Sequence, residues 1–334
     1  MVKKISVIVL IIFASSFVYG EPAEDADQKI PTPVVSIDIS NIRNPETLWG
    51  YFLQNQDSQV GQDILASLSM LGRGNRQIID NLNSYLMGRN LLFKSGTAVD
   101  YMIVSACIST IMELGDSSSY PALFSVLYAG YPEVIASEAL GALEVIRGNL
   151  FQFLINVIEH NPPDEKFAAF RAGVNSERLS VPERGRIAER ALEQGLASTE
   201  ENMDLSAMRY SSIINLTQLR WTRANALAIR HYYRVQSDFI QDNVFKDRFI
   251  EAILCLGAVG NSDAALVLGL QLGLINARTE STGSFDPEIT MAIVRALGQI
   301  GFNAAFDHLL YIGSLSYPED IQAAAREAVA RLKW

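Results

Sequence analysis

The stretch Leu-Gly-Ala-Val-Gly at 256–260 recurs 41 residues later as Leu-Gly-Gln-Ile-Gly at 297–301. Each copy ends an apolar run with helical spacing, as at Ile293, Ala296 and Leu297. The last glycine of each copy can adopt the left-handed backbone conformation that closes a helix. A period of about 40 residues made of paired helices is typical of an α-solenoid.

Helix start and stop signals recur along the chain. Proline loses no hydrogen bond in a first helical turn, and a glutamate beside it meets the positive end of the helix dipole. Such pairs stand at Pro45-Glu46, Pro132-Glu133, Pro182-Glu183, Pro287-Glu288 and Pro318-Glu319. The stops are glycines followed closely by Asn or Asp, at Gly74-Asn75, Gly115-Asp116, Gly148-Asn149, Gly260-Asn261 and Gly301 with Asn303. With no convincing alternating strand between these signals, the fold class is predicted to be all-α.

Residues 292–301 and their copy at 251–260 resemble the first helix of HEAT repeats. The predicted fold of 44–334 is an α-solenoid of roughly seven HEAT-like helix pairs with terminal caps. The stack is expected to be irregular around 161–242, where the period is blurred, and a helix at 317–333 is expected to cap its end. The resemblance implies a curved stack that binds other macromolecules. It carries over no catalytic residues, because the shared motif concerns packing.

The first residues have the pattern of a secretory signal. Lys3 and Lys4 precede an almost wholly apolar run at 5–14, and small residues lead to Gly20. We predict a signal peptide at 1–20, an extended Pro-containing tether at 21–43 and a periplasmic mature chain. The alternative is an uncleaved N-terminal anchor. No later segment is long and apolar enough to predict a membrane span in the mature chain.

Composition argues against several classes of chemistry. The formal net charge of −10 speaks against nucleic-acid binding, which needs a basic surface. Cys107 and Cys255 are expected to be buried free thiols. His160, His231 and His308 lack the spacing of metal ligands on one helix face. Without a nucleophile elbow, zinc-protease motif or phosphate loop, we predict no catalytic residue, no metal site and no cofactor.

A local basic stretch departs from the acidic average. Residues 205–237 contain no Asp or Glu but hold Arg209, Arg220, Arg223, Arg230 and Arg234, interleaved with Tyr210, Trp221, Tyr232 and Tyr233. On a single helix, the last four arginines would share one face. The residues proposed to bind a partner are Arg220, Arg223, Arg230, Arg234, Trp221 and Tyr233. Two interpretations stay open: this stripe docks an acidic protein segment or an anionic envelope polymer, or the arginines pair with acids of neighbouring helices and the aromatic residues are core.

These observations favour a non-enzymatic scaffold of the bacterial envelope that holds one or more protein partners on a curved solenoid face. One alternative is an enzyme or enzyme accessory that acts on the cell wall. Another is a structural subunit of a large envelope assembly for secretion or motility. The sequence does not identify the partner or the oligomeric state.

Overall fold

The computed structural model describes residues 39–56, 58–198 and 202–333. The predicted signal peptide and most of the predicted tether lie outside these residues. Within them the chain forms sixteen α-helices: α1 (Pro45–Gln54), α2 (Gln59–Leu71), α3 (Arg76–Lys94), α4 (Tyr101–Leu114), α5 (Tyr120–Ala129), α6 (Glu133–Val145), α7 (Leu150–His160), α8 (Pro163–Val174), α9 (Val181–Ala197), α10 (Met203–Leu219), α11 (Asn225–Ile240), α12 (Lys246–Val259), α13 (Ser262–Thr282), α14 (Pro287–Ile300), α15 (Phe306–Tyr311) and α16 (Glu319–Ala330). Short 3-10 turns lie at Ile39–Asn41, Ser117–Ser119, Thr222–Ala224, Asn303–Ala305 and Ile312–Ser314.

The chain divides into two units after Asn41, and the second, Ile42–Trp334, holds all of these α-helices. Each odd-numbered helix contacts the even-numbered helix that follows it, which gives eight pairs. We call α1, α3 and so on to α15 the odd row, and α2, α4 and so on to α16 the even row. Neighbouring helices within each row pack closely along the stack, except at the joint between the third and fourth pairs. No strand forms among the described residues, and the predicted all-α, solenoid-like fold is confirmed, with one pair more than the roughly seven expected.

The helix boundaries follow the sequence signals. Pro45 and Pro287 are the first residues of their helices. The side chains of Asn75 and Asn261 cap α3 and α13 by accepting backbone N–H groups of the first turn. Gly301 closes α14 with φ 72°, in the left-handed region that favours glycine. The turns between helices are therefore specified locally.

The repeated Leu-Gly pairs set the spacing between helices of the even row. Gly257 of α12 lies against Ala296 of α14, and a Cβ atom at Gly257 would stand 2.9 Å from the Ala296 Cα. At the equivalent position 41 residues later, a Cβ at Gly298 would stand 2.9 Å from the Cβ of Ala328 in α16. Each glycine therefore allows two helix backbones to approach more closely than a larger residue would permit.

The joint between the third and fourth pairs is built differently. Here α5 contacts α8, and Phe153 of α7 lies against Tyr120 of α5 with the ring centroids 5.5 Å apart. Arg178, after α8, reaches back to the end of α6, where its Nη1 donates to the Ile146 carbonyl at 2.5 Å and to the Tyr120 hydroxyl at 3.2 Å. An arginine clamp thus supplements helix packing at this joint.

The last helix covers the end of the stack. α16 contacts α14 and α15 and buries Ile321, Ala325 and Ala328. The backbone N–H of Lys333 donates to the Gly301 carbonyl at 2.8 Å, which fastens the tail to the end of α14. The sequence-predicted terminal helix is present in the structure.

Both cysteines are buried and unpaired, as predicted. Burial raises the pKa of Cys107 to about 12 and that of Cys255 to about 11, so both stay protonated at neutral pH. Among the helices described, none combines the length and the apolar character needed to cross a bilayer.

We expect Gly257→Ala to lower the free energy of unfolding by about 1–2 kcal/mol, because the overpacking cost at Ala296 exceeds the gain in helix propensity. The matched control is Gly141→Ala in α6, where an added Cβ meets nothing within 4 Å. That control should raise the free energy of unfolding by about 0.5–1 kcal/mol. Urea denaturation measures both. Equal stabilisation by the two substitutions would contradict the tight joint.

Candidate functional site

The six residues predicted to bind a partner do not share one helix. α10 ends at Leu219, and Arg220 takes a left-handed conformation with φ 49°. A 3-10 turn follows before α11 begins at Asn225. The expectation that the four arginines lie on one helix face is therefore wrong. The reason is local: the backbone reverses at Arg220, and the helical period is not maintained across the turn. The six residues fall into three places.

The turn between α10 and α11 holds Arg220, Trp221 and Arg223. Trp221 packs on Gly185 of α9, where a Cβ would stand 2.6 Å from the indole ring. Its Nε1 donates to Glu189 Oε2 at 2.7 Å. Arg223 is exposed, with its guanidinium 5.8 Å from the Trp221 ring and its Nε 3.9 Å from the same Glu189 carboxylate. Trp221 therefore anchors the turn to α9, in line with the internal-pairing interpretation for this part of the set.

Arg230 and Tyr233 are exposed, one turn apart on the outer side of α11. Their neighbour in the odd row is α13, which carries Leu266, Leu270 and Leu274 on one exposed side. These leucines are four residues apart, and 53%, 57% and 68% of their respective surfaces are exposed. We call them the leucine stripe. The sequence analysis missed it. Leucines on both sides of α13 were a usable signal, because a helix with a single buried face needs apolar residues on only one side.

Arg234 instead lines a cavity of about 420 Å³ between α9, α10 and α11. Its Nη1 donates to the Ser198 carbonyl at 3.1 Å. The wall opposite is formed by the first two turns of α10, which contribute Arg209 and Tyr210. Asp238 contributes the one carboxylate among the described residues that line it. The cavity is therefore cationic in an otherwise acidic protein.

Arg209 is the unusual member of this cavity. Only 4% of its surface is exposed, and its Nη1 has no hydrogen-bond partner. The guanidinium lies 4.8 Å from the centroid of the Tyr210 ring, which the Arg248 guanidinium also contacts at 4.6 Å. Burial lowers the pKa of Arg209, and the nearby charge of Arg234 acts in the same direction. An arginine remains charged under these conditions, so a buried positive charge faces the cavity.

His231 of α11 lies next to Tyr210 and is fully buried. Both of its ring nitrogens lack hydrogen-bond partners, and its ring meets that of Tyr210 edge-on at 5.6 Å. Burial lowers the pKa of His231 to about 3, and the charges of Arg209, Arg234 and Arg248 contribute to the shift. The imidazole is therefore neutral at physiological pH.

The described residues contain no group of three or more His, Cys, Asp or Glu side chains placed to hold a metal ion. Compared with the models of known protein families and with curated proteins, the chain matches none of them.

The buried His231 predicts a loss of stability in acid. Below pH about 6.5 the unfolded chain binds a proton at this imidazole, whereas the folded chain binds one only near pH 3. The unfolded state is therefore favoured as the pH falls, and the contribution at pH 5 is about 2 kcal/mol relative to pH 8. Denaturant titrations at the two pH values measure it.

His231→Leu should remove this part of the pH dependence. His160→Leu is the matched control, because His160 is exposed on α7. We expect the control to keep the native pH dependence. A His231→Leu protein that loses as much stability between pH 8 and pH 5 as the native protein would contradict the assignment.

Proposed function

We propose that this chain is a non-enzymatic scaffold of the bacterial envelope that holds a partner protein on the outer side of α11, α13 and α15. The observation that carries the proposal is the leucine stripe. Soluble proteins rarely leave such a row uncovered unless another molecule covers it. Covering the exposed part of each leucine would contribute about 1 kcal/mol.

The surroundings of the stripe have the composition of a protein interface. Arg230 and Tyr233 stand on α11 on one side, and the exposed Leu310 stands on α15 on the other. Tyrosine and arginine beside an apolar centre are frequent anchors of protein interfaces. Two of the six sequence-predicted residues thus belong to this surface. Leucines at i, i+4 and i+8 fit a partner that presents the apolar face of an amphipathic helix.

The solenoid-like stack supports a binding role in a second way. Its contacts run between neighbouring pairs, so one row can present a long continuous surface without a separate binding domain. The sequence resemblance to HEAT repeats agrees with this role. The envelope location rests on the pattern of residues 1–20.

Photocrosslinking in intact cells tests the binding surface. A p-benzoylphenylalanine residue at Leu270 should give a light-dependent adduct of defined mass with a partner protein. The same residue at Gln299, exposed on α14 of the even row, is the control and should give none.

Two further variants test whether the leucines themselves hold the partner. Leu266→Ser with Leu274→Ser should abolish the adduct at position 270 while leaving the thermal unfolding midpoint almost unchanged, because both side chains are exposed. Leu254→Ser, at a partly exposed leucine of α12, should leave the adduct intact. Equal adducts at 270 and 299, or none at 270, would refute the proposed surface.

Fractionation of the producing cells tests the location. We expect the soluble periplasmic protein to begin at Glu21, as found by sequencing its N-terminus, because cleavage after Gly20 fits the signal pattern. A chain that retains residues 1–20 in the membrane fraction would support the anchored alternative. A full-length chain in the cytosol would contradict both.

A further inference from the structure

We infer that the cavity lined by Arg209 and Arg234 is a binding site for a small organic anion, whose carboxylate or phosphate group the two arginines hold. This site is separate from the leucine stripe and does not depend on the scaffold proposal. We call it the arginine cavity.

Arg209 and Arg234 bring two positive charges to the arginine cavity. Neither Arg209 nor Arg234 forms an ion pair with a carboxylate of the described residues, although surface arginines such as Arg190 and Arg248 do. A buried charge without a partner destabilises the folded state. Only 4% of the surface of Arg209 is exposed, and its Nη1 hydrogens have no acceptor. An anion in the cavity would supply a charge partner for the Arg209 guanidinium.

Close packing of α9 against α10 buries Arg209. Gly195 of α9 lies against it: a Cβ at Gly195 would stand 2.9 Å from the Arg209 Cβ and 3.1 Å from the Leu205 carbonyl. α9 and α10 are thus held close at this point, and the Tyr210 ring supports the guanidinium from another side. The arginine is positioned by packing before any ligand arrives, which is the arrangement that favours binding.

A helix end and its polar groups lie beside the arginines. The cavity lies at the beginning of α10, whose cap Asn202 and first-turn residues Met203 and Leu205 line it. The N-terminal end of a helix favours an anion, and the arginine fork matches the two oxygens of a carboxylate or phosphate. The buried charge of Arg209 attracts the anion independently of this helix end.

The cavity is large enough for an organic molecule, and its remaining wall offers both apolar and polar groups. A volume of about 420 Å³ exceeds what an inorganic ion needs and falls within the range of small-molecule sites. Met203, Leu205 and Val244 offer apolar contact, whereas Asp238 and Asn243 offer polar groups for a hydroxyl or amine of the ligand. The cavity therefore fits an organic molecule with one anionic end.

Calorimetric titration of the full chain with inorganic phosphate and with succinate, at an ionic strength fixed with sodium chloride, tests the inference. We expect at least one of the two probes to bind with a millimolar or lower dissociation constant. Which probe binds more tightly distinguishes a phosphate site from a carboxylate site. Failure of both probes to bind at a concentration 20 times this millimolar dissociation constant would overturn the inference.

Three variants locate the binding. Arg234→Gln should weaken the binding at least tenfold, because it removes one charge-assisted contact. Arg230→Gln, one turn earlier on α11 and outside the cavity, is the matched control and should bind like the native chain. Asp238→Asn should bind the anion more tightly, since it removes a negative charge from the cavity, a gain that damage to the fold would not produce. Native affinity in Arg234→Gln, or weaker binding in Asp238→Asn, would overturn the inference.

A competing outcome involves the chain's own acids. Glu200 and Glu201, which lie outside the described residues, follow Ser198 closely in sequence. We expect the double variant Glu200→Gln, Glu201→Gln to bind the probe as the native chain does. If the probe binds only to the double variant, the arginines serve those carboxylates and the inference is wrong. Because Arg234 and Asp238 line the cavity and are not part of the proposed partner surface, the crosslink at Leu270 should persist in Arg234→Gln and Asp238→Asn.

Discussion

The close approach of helix backbones is the constraint on which this structure depends. In a stack where most helix contacts join neighbouring pairs, every joint must be dense, because distant parts of the chain compensate little for a weak one. Gly257 against Ala296 and Gly298 against Ala328 show how the density is reached: a side chain is omitted where two helices meet. The joint at Arg178 replaces this device with hydrogen bonds to the Ile146 carbonyl and the Tyr120 hydroxyl.

The same constraint creates the arginine cavity. Gly195 lets α9 lie against α10 at Arg209, and Gly185 lets Trp221 fasten the following turn to α9. Helices held this closely enclose side chains that would otherwise reach water. An arginine that would be solvated on an isolated helix is therefore buried beside the cavity between α9, α10 and α11. The close packing of α9 against α10 therefore also explains the buried charge of Arg209.

The two candidate surfaces differ in chemistry because they belong to different parts of the stack. The leucine stripe lies on the outer side of α13, where no later helix covers it, and it suits an apolar partner. The arginine cavity lies between helices and suits a small anion. α11 contributes to both, through Tyr233 at the outer side and Arg234 at the cavity. The proposed partner surface and the proposed anion site therefore share one helix without sharing residues.

The sequence by itself determined the all-α class, the paired helices and their boundaries, since caps such as Asn261 and Gly301 act within one turn of the chain. It also predicted that both cysteines are buried, because both fall inside predicted helices and Cys255 aligns with Ala296. It did not place the basic residues: a reversal at Arg220 broke the predicted face, and the burial of Arg209 depends on α9. Only the tertiary structure decided which side chains face solvent, because exposure depends on contacts between helices far apart in sequence, whereas helix caps depend on adjacent residues.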